Sequence, residues 1–233
     1  MSMFVQRLLD APKNHLKAFA FGGLVVAQAV TGTALAAQAD TSPKDGIAKV
    51  ASAEAKNTAQ ALHAPQTARR VSAQQLLKLA ESQVGISENS AGGGTKFHAW
   101  YMNSPRAAET VARDGGTIAG FANASWCDMF VSWVGHQMGM DDTVGSDAYT
   151  VEHAKWFAAH DRWGTTPKPG AVVFFNWNGS KSVDDIEHVG YVIKDNGDGT
   201  IKTVEGNTGN GSVEIRTRST DTVVGYGYPS YAG

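Results

Sequence analysis

Hydrophobic and polar positions change their period once along this chain, from helical in the first part to strand-like after Pro169. Ser72 followed by Gln75 has the form of a capping box. Leu76, Leu77, Leu79, Ala80 and Val84 then make an apolar face that Gly85 would end. Residues 87–94 read as a loop, and Phe97, Trp100 and Tyr101 as aromatic anchors of a short helical or irregular piece. A second helix is expected from near Ser125 to near Gly139, with Phe130, Val131, Trp133, Val134 and Met138 as a wide buried face. A third is expected over residues 150–160, carried by Val151, Ala154, Trp156 and Phe157, before Pro167 and Pro169 break the pattern. Short apolar or alternating runs follow at 171–175, 188–193, 200–205, 212–218 and 222–228. Asn196-Gly197-Asp198-Gly199 is a hairpin turn between the second and third of them. Helices first and about five antiparallel strands second predict an α+β fold.

The chain ahead of Val71 reads differently. Arg7, Lys13 and Lys17 form a positive region, and residues 18–30 are an apolar run without charge. Small residues then lead to Ala37-Gln38-Ala39 before Asp40, with Ala34-Leu35-Ala36 as a competing cleavage site. Residues 1–39 are therefore expected to be a secretory signal. The alternative, a single membrane anchor, fits less well because the run is short and rich in Gly and Ala. Residues 40–70 are Ala-rich, without aromatics, and expected to be a linker or pro-segment. The domain proper is placed at 71–233.

Charge and cysteine usage narrow the picture. The 233 residues carry a formal charge of −2, and without residues 1–39 the balance is −4. No basic field for nucleic acid exists, so nucleic acid is excluded as a partner. Cys127 is the one cysteine, so an exported fold would have to rely on its core without an internal disulfide. A free thiol there is either buried and inert or retained for chemistry.

Cys127 lies near the expected start of the second helix. With Ser125 as N-cap it would fall in the first turn, where exposed amides and the helix dipole favour a thiolate. Its backbone N–H could also meet the oxyanion formed when a carbonyl is attacked. The base has to be one of seven histidines. His15 lies in the signal and His63 in the linker. His98, His153 and His160 read as surface or partly buried residues of helical stretches. His136 is about two and a half turns from Cys127 along one helix, too far to pair. His188 opens a strand, shares a face with Gly190 and Val192, and has room beside it at Gly190. Across the hairpin, Ile201, Thr203 and Glu205 share a face. Residues 188 and 205 lie almost symmetrically about the turn, so Glu205 can reach His188. Asn207 could hold the same ring, donate to the oxyanion, or serve only as a turn residue.

These residues resemble the CHAP domains, cysteine- and histidine-dependent amidohydrolases/peptidases of a papain-like clan that cut bacterial peptidoglycan. The resemblance rests on Trp126-Cys127-Asp128-Met129-Phe130-Val131-Ser132-Trp133, Pro167-Lys168-Pro169-Gly170-Ala171-Val172-Val173-Phe174-Phe175, His188-Val189-Gly190-Tyr191-Val192 and Glu205-Gly206-Asn207, in that order. It implies a papain-like arrangement with Cys127 as nucleophile, His188 as base, Glu205 as orienter and Asn207 as an auxiliary polar residue. It also implies peptidoglycan as the partner and cleavage of an amide bond, either N-acetylmuramoyl–L-alanine or one in the stem or crossbridge. Trp126, Trp133, Trp177 and Tyr191 are candidate groove residues, or else core.

Some CHAP domains hold calcium through an acidic loop ahead of the cysteine. Here residues 120–125 contain no carboxylate, and Asp141, Asp142 and Asp147 are too scattered to replace it. No cofactor and no metal are expected, and Asp184, Asp185 and Glu187 read as a solvated loop leading to His188. A secreted, wall-associated monomer without a membrane anchor after signal cleavage is the resulting expectation. A non-catalytic wall- or partner-binding module on the same fold is the alternative. A transglutaminase-like transferase shares the residue types, but its strand motifs look less like these.

Overall fold

The computed structural model describes residues 71–232. The expected signal and the Ala-rich segment up to residue 70 lie outside the described residues.

Helix α1 spans Ala73–Glu81 and starts as its sequence predicts: Ser72 caps it and Gln75 returns the bond to the cap backbone. It ends at Ser82, earlier than Gly85, which instead takes up φ 92° in the following turn. Helix α2 spans Lys96–Met102 and α3 spans Pro105–Asp114. The latter has Ser104 as N-cap and Pro105 in its first turn, where a missing N–H costs nothing. A 3₁₀ turn over Ile118–Asn123 leads to α4, Cys127–Gln137. A short α5, Asp141–Val144, and α6, Thr150–Ala159, complete the helical part.

The strands are β1 Trp163–Gly164, β2 Val172–Phe175, β3 His188–Asp195, β4 Thr200–Thr208, β5 Ser212–Ser219 and β6 Val223–Gly227. They form one antiparallel sheet in the order β1-β6-β2-β3-β4-β5. Among the described residues the sheet has six strands, in keeping with the about five expected. The added one is the two-residue β1, too short to leave an alternation in sequence.

Alternation along the strands separates two apolar clusters. Val172, Phe174, Val189, Tyr191 and Val204 join the helices in the main core. Ala171, Val173, Phe175, Val192 and Ile201 cluster on the other face, with Val223 and Tyr226. The helix that carries Cys127 is buried along most of its length, from Cys127 to Ser132 without a break. Such burial on nearly every side marks a helix enclosed by its neighbours rather than lying on a surface.

Glycine allows two of the close approaches around this helix. At Gly135 an added Cβ would lie 2.7 Å from Val144 Cγ1, and at Gly206 it would lie 2.6 Å from Phe130 Cβ. The second contact brings α4 against β4 one residue after Glu205, so the thiol-bearing helix and the carboxylate-bearing strand are packed directly on each other.

Candidate active site

Cys127 is the first residue of α4, but Ser125 is not its cap. The N-cap is Trp126, with φ −121° and ψ 14° and no side-chain cap bond. The start of the helix is set from outside the helix. His98 donates from Nε2 to the Ala124 carbonyl at 3.0 Å. The Trp126 ring stacks on Phe97 with centroids 5.3 Å apart, and its Nε1 donates to Glu88 at 2.9 Å. Trp126 is thus a fully buried anchor, not a groove residue. Phe97 stacks on its ring, and Gly206 packs close to the ring's edge.

Backbone N–H groups of Asp128, Val189 and Cys127 point at the Cys127 sulfur. The first amides of a helix have no partner within it, which frees the two from α4 for this role. They do not produce a thiolate at rest. Burial pushes the thiol up to about 12, and the neighbouring Asp128 carboxyl adds to the effect. The helix start favours a thiolate, as expected, but taking the anion out of water outweighs the dipoles aimed at it.

His188 opens β3 and is buried. Its Nε2 lies 2.9 Å from Glu205 Oε2. That leaves Nδ1 as the ring nitrogen for a thiol. Strand β3 meets β4 with Tyr191 opposite Val204, and continuing that register sets Gly190 opposite Glu205. The carboxylate stem occupies the space a side chain at 190 would fill: an added Cβ would lie 2.7 Å from Glu205 Cγ and 2.9 Å from the Val204 carbonyl oxygen. Gly190→Ala is expected to push Glu205 off the His188 ring, at a cost of about 1–3 kcal/mol. Thermal unfolding combined with the amide-cleavage rate checks this, the rate falling by more than the lost stability explains.

Glu205 is completely buried. Four donor contacts fill its two oxygens. Oε1 accepts from Thr203 Oγ1 at 2.6 Å and from Arg218 Nε at 2.9 Å. Oε2 accepts from Arg218 Nη2 at 2.6 Å and faces His188 Nε2. Burial by itself would raise Glu205, but His188, Arg218 and Thr203 together hold it down at about 2. Arg218 and Thr203 were not among the expected site residues. A signal existed: β4 and β5 place Glu205 opposite Glu214, and two facing carboxylates call for cations nearby. Reading it needed the register of β5, which slips by one residue between Glu205 and Thr208, so a count from the Gly209-Asn210-Gly211 turn misplaces it.

Asn207 does not hold the His188 ring, since Glu205 occupies that position. It sits at φ 53° where the β4–β5 register slips between Glu205 and Thr208. Asn tolerates this left-handed conformation better than most residues. Among the remaining aromatics, Tyr191 is core and not groove: it is fully buried and donates its hydroxyl to the Val131 carbonyl at 2.9 Å. Trp133 is partly buried, edge-on to Phe97 and beneath the Lys96 ammonium at 4.1 Å. Trp177 is 43% exposed. Its ring lies 5.5 Å from His188, stacks on Phe175 at 5.3 Å, and has the Arg218 guanidinium over it at 4.8 Å.

The other histidines are engaged elsewhere. His98 and His153 are buried, contrary to the sequence expectation. His98 has Thr95 Oγ1 at 2.8 Å from Nδ1 besides its bond to Ala124. His153 Nδ1 is 2.6 Å from Asp128 Oδ1, and its Nε2 donates to the Val144 carbonyl at 2.6 Å. Burial would lower His153, but the Asp128 carboxyl outweighs it and holds the ring up; burial raises Asp128 as well, so the pair keeps a proton between its two members. His136 and His160 are bonded to Asp141 and to the Trp156 carbonyl. Among the described residues no three His, Cys, Asp or Glu side chains converge as a metal set, and no helix is long and apolar enough to cross a membrane.

Searches of curated proteins and of solved structures returned no match. A family model, the CHAP domain, matches residues 119–207. CHAP domains are generally amidase or peptidase hydrolases, and the match points to an activity of the peptidoglycan-hydrolase type. Helices α1 to α3 and strands β5 and β6 lie outside the matched stretch. The stretch that the CHAP-domain model matches, residues 119–207, is the one that holds Cys127, His188 and Glu205.

Proposed function

We propose that this protein is an exported, wall-associated cysteine hydrolase that cuts an amide bond of peptidoglycan. Cys127 is the nucleophile, His188 the base and acid, and Glu205 the residue that orients the imidazole. The observation that carries this reading is the His188–Glu205 pair at 2.9 Å, on a strand whose Val189 amide touches the Cys127 sulfur.

The raised thiol decides how the first step runs. A protonated Cys127 has to give its proton to His188 Nδ1 as the sulfur attacks the amide carbon. The imidazolium so formed is stabilised by the ionised Glu205. The amide oxygen becomes an oxyanion, and the free N–H groups at the start of α4 are suited to receive it. His188 then protonates the departing amine, leaving a thioester on Cys127. Water, deprotonated by the same imidazole, hydrolyses the thioester and returns the thiol.

Two bonds fit this chemistry, the N-acetylmuramoyl–L-alanine amide and an amide of the stem or crossbridge. Mass spectrometry of the fragments released from purified peptidoglycan separates them. A new L-alanine N-terminus identifies the amidase, and an amine from within the stem or crossbridge identifies the endopeptidase.

A non-catalytic wall-binding module is the second reading, and the raised Cys127 favours it. A thiol with a pKa of about 12 is ionised at neutral pH to the extent of only about 10⁻⁵. If Cys127 passes its proton to His188, iodoacetamide at pH 7 is expected to react far faster than that fraction allows. The rate is expected to fall at least about tenfold in His188→Ala. Alkylation that is slow in the native protein and unchanged by His188→Ala would favour the binding module.

A further inference from the structure

Glu205 is gripped by more than an orienting carboxylate requires. Arg218 reaches it from β5, beyond the matched CHAP stretch, with Nε on Oε1 and Nη2 on Oε2. The same Nη2 also donates to Thr208 Oγ1 at 2.9 Å, beside the slipped register that carries Asn207. The guanidinium covers the ring of Trp177, which in turn lies against His188. One side chain therefore ties together the carboxylate, the irregular end of β4 and the exposed aromatic next to the imidazole.

We infer that Arg218 is a positioning residue that fixes Glu205 and limits how basic His188 becomes. This deepens the hydrolase reading and rests on it for its catalytic meaning. A carboxylate has room for about four hydrogen bonds. Arg218 takes two of them, Thr203 one and His188 the last, so Glu205 can neither rotate nor pick up a proton without breaking a bond. The shared Oε2 is the important atom. Its charge is divided between Arg218 and His188, so the imidazolium gains less from Glu205 than it would from a carboxylate without Arg218. The guanidinium is also a like charge close to that imidazolium. Both effects weaken the hold of Glu205 on a proton at the His188 ring, which a lone buried carboxylate would grip more tightly.

The charged surroundings of His188 are few. Strand β4 contributes Glu205, and β5 contributes Arg218. Glu214 and Arg216 of β5 neutralise each other at 2.9 Å. Helix α4 contributes Cys127, and Asp128 beside it is turned to His153. Strand β2 and its following turn offer Phe175 and Trp177, without charge. Glu187, next to His188 in the chain, is occupied by the Trp177 amide and Asn176.

The test is the titration of the His188 ring, followed by NMR in the wild type, Arg218→Met and Arg218→Lys, with amine release measured over the same pH range. In Arg218→Met the ring midpoint is expected to rise by about one pH unit. The acid limb of kcat/KM should move up equally, with KM changed less than about twofold. Arg218→Lys keeps the charge without the fork and is expected to rise by only a few tenths. A folded Arg218→Met with an unmoved or lowered midpoint overturns the inference, as does a change confined to KM. Should Arg218→Met not fold, an unmoved midpoint in Arg218→Lys overturns it as well. If wild-type protein releases no amine from peptidoglycan, the hydrolase reading fails, while the ring titration still decides the role of Arg218.

Discussion

Cys127→Ala is expected to abolish amide cleavage in peptidoglycan, with a loss of at least about 10³-fold in kcat/KM. The reason lies in the division of labour around the sulfur. The amides of Asp128, Val189 and Cys127 and the His188–Glu205 pair all serve an atom that forms and breaks a covalent bond. Without it, they can bind or polarise an amide but cannot form the thioester. The fold is expected to survive. Cys127 is a small member of a core whose bulk near this point comes from Trp126, Met129 and Phe130, and removing one sulfur leaves a cavity costing about 1–2 kcal/mol. The measurements are amine release and thermal unfolding, on the same preparation. Full residual lysis by a folded Cys127→Ala would end the hydrolase reading.

Glu205→Gln is expected to damage both stability and activity. The amide keeps the shape of the side chain but cannot neutralise Arg218, and its NH₂ group faces donors. A partly buried guanidinium is left without its partner, a defect that typically costs about 3–5 kcal/mol. For a domain of this size that is a fall of roughly 10 °C in Tm. The same carboxylate predicts the acid response of the native protein. Its folded pKa is about 2, below the ordinary value of 4.5. A depressed carboxylate stabilises the fold above its unfolded pKa, and that contribution is lost as pH falls through the folded pKa. Glu205 should therefore contribute its full share, on the order of 3 kcal/mol, above about pH 4.5, and lose it progressively toward pH 2. Acid unfolding followed by circular dichroism checks both points. The native protein should lose stability between those limits, and Glu205→Gln should lack that component. An identical acid transition in the two proteins would mean that Glu205 carries no such coupling.

The helical part of the fold was legible wherever a local signal was strong. Ser72 and Gln75 form a capping box because three residues of spacing suffice to define one. Residues 150–160 show the same agreement, since Val151, Ala154 and Phe157 mark one face of a helix whatever surrounds it. The start of α4 was not legible in that way. Ser125 has the chemistry of a cap, yet the helix begins after Trp126. Contacts with His98, Phe97 and Glu88, 26 to 38 residues earlier in sequence order, decide it. Neither was the burial of His98 and His153 legible. Polar residues on helices read as surface until the partners that satisfy them are known.

The site divides along the same line. A hairpin with a marked turn is a local object, so the meeting of His188 with Glu205 follows from counting residues on either side of Asn196–Gly199 and from the period of two. Gly190 completes that local logic by leaving the space Glu205 fills. Which aromatic lies beside the imidazole is not a local matter. Trp126 and Tyr191 have the composition of groove residues and are core; Trp177 is the exposed one at the His188 ring.

By itself, then, the amino-acid sequence determined an α+β chain whose one thiol stands at a helix start and whose imidazole and carboxylate share a hairpin. Those are properties of capping, periodicity and turn geometry, which act over a few residues. Tertiary structure alone decided that Cys127 rests as a buried, protonated thiol. It also decided that Arg218, from a strand whose register slips by one residue between Thr208 and Glu205, saturates Glu205. Both depend on burial and on charges brought together from distant parts of the chain, and desolvation and Coulomb energy are set by what surrounds a group in space, not by its neighbours in sequence.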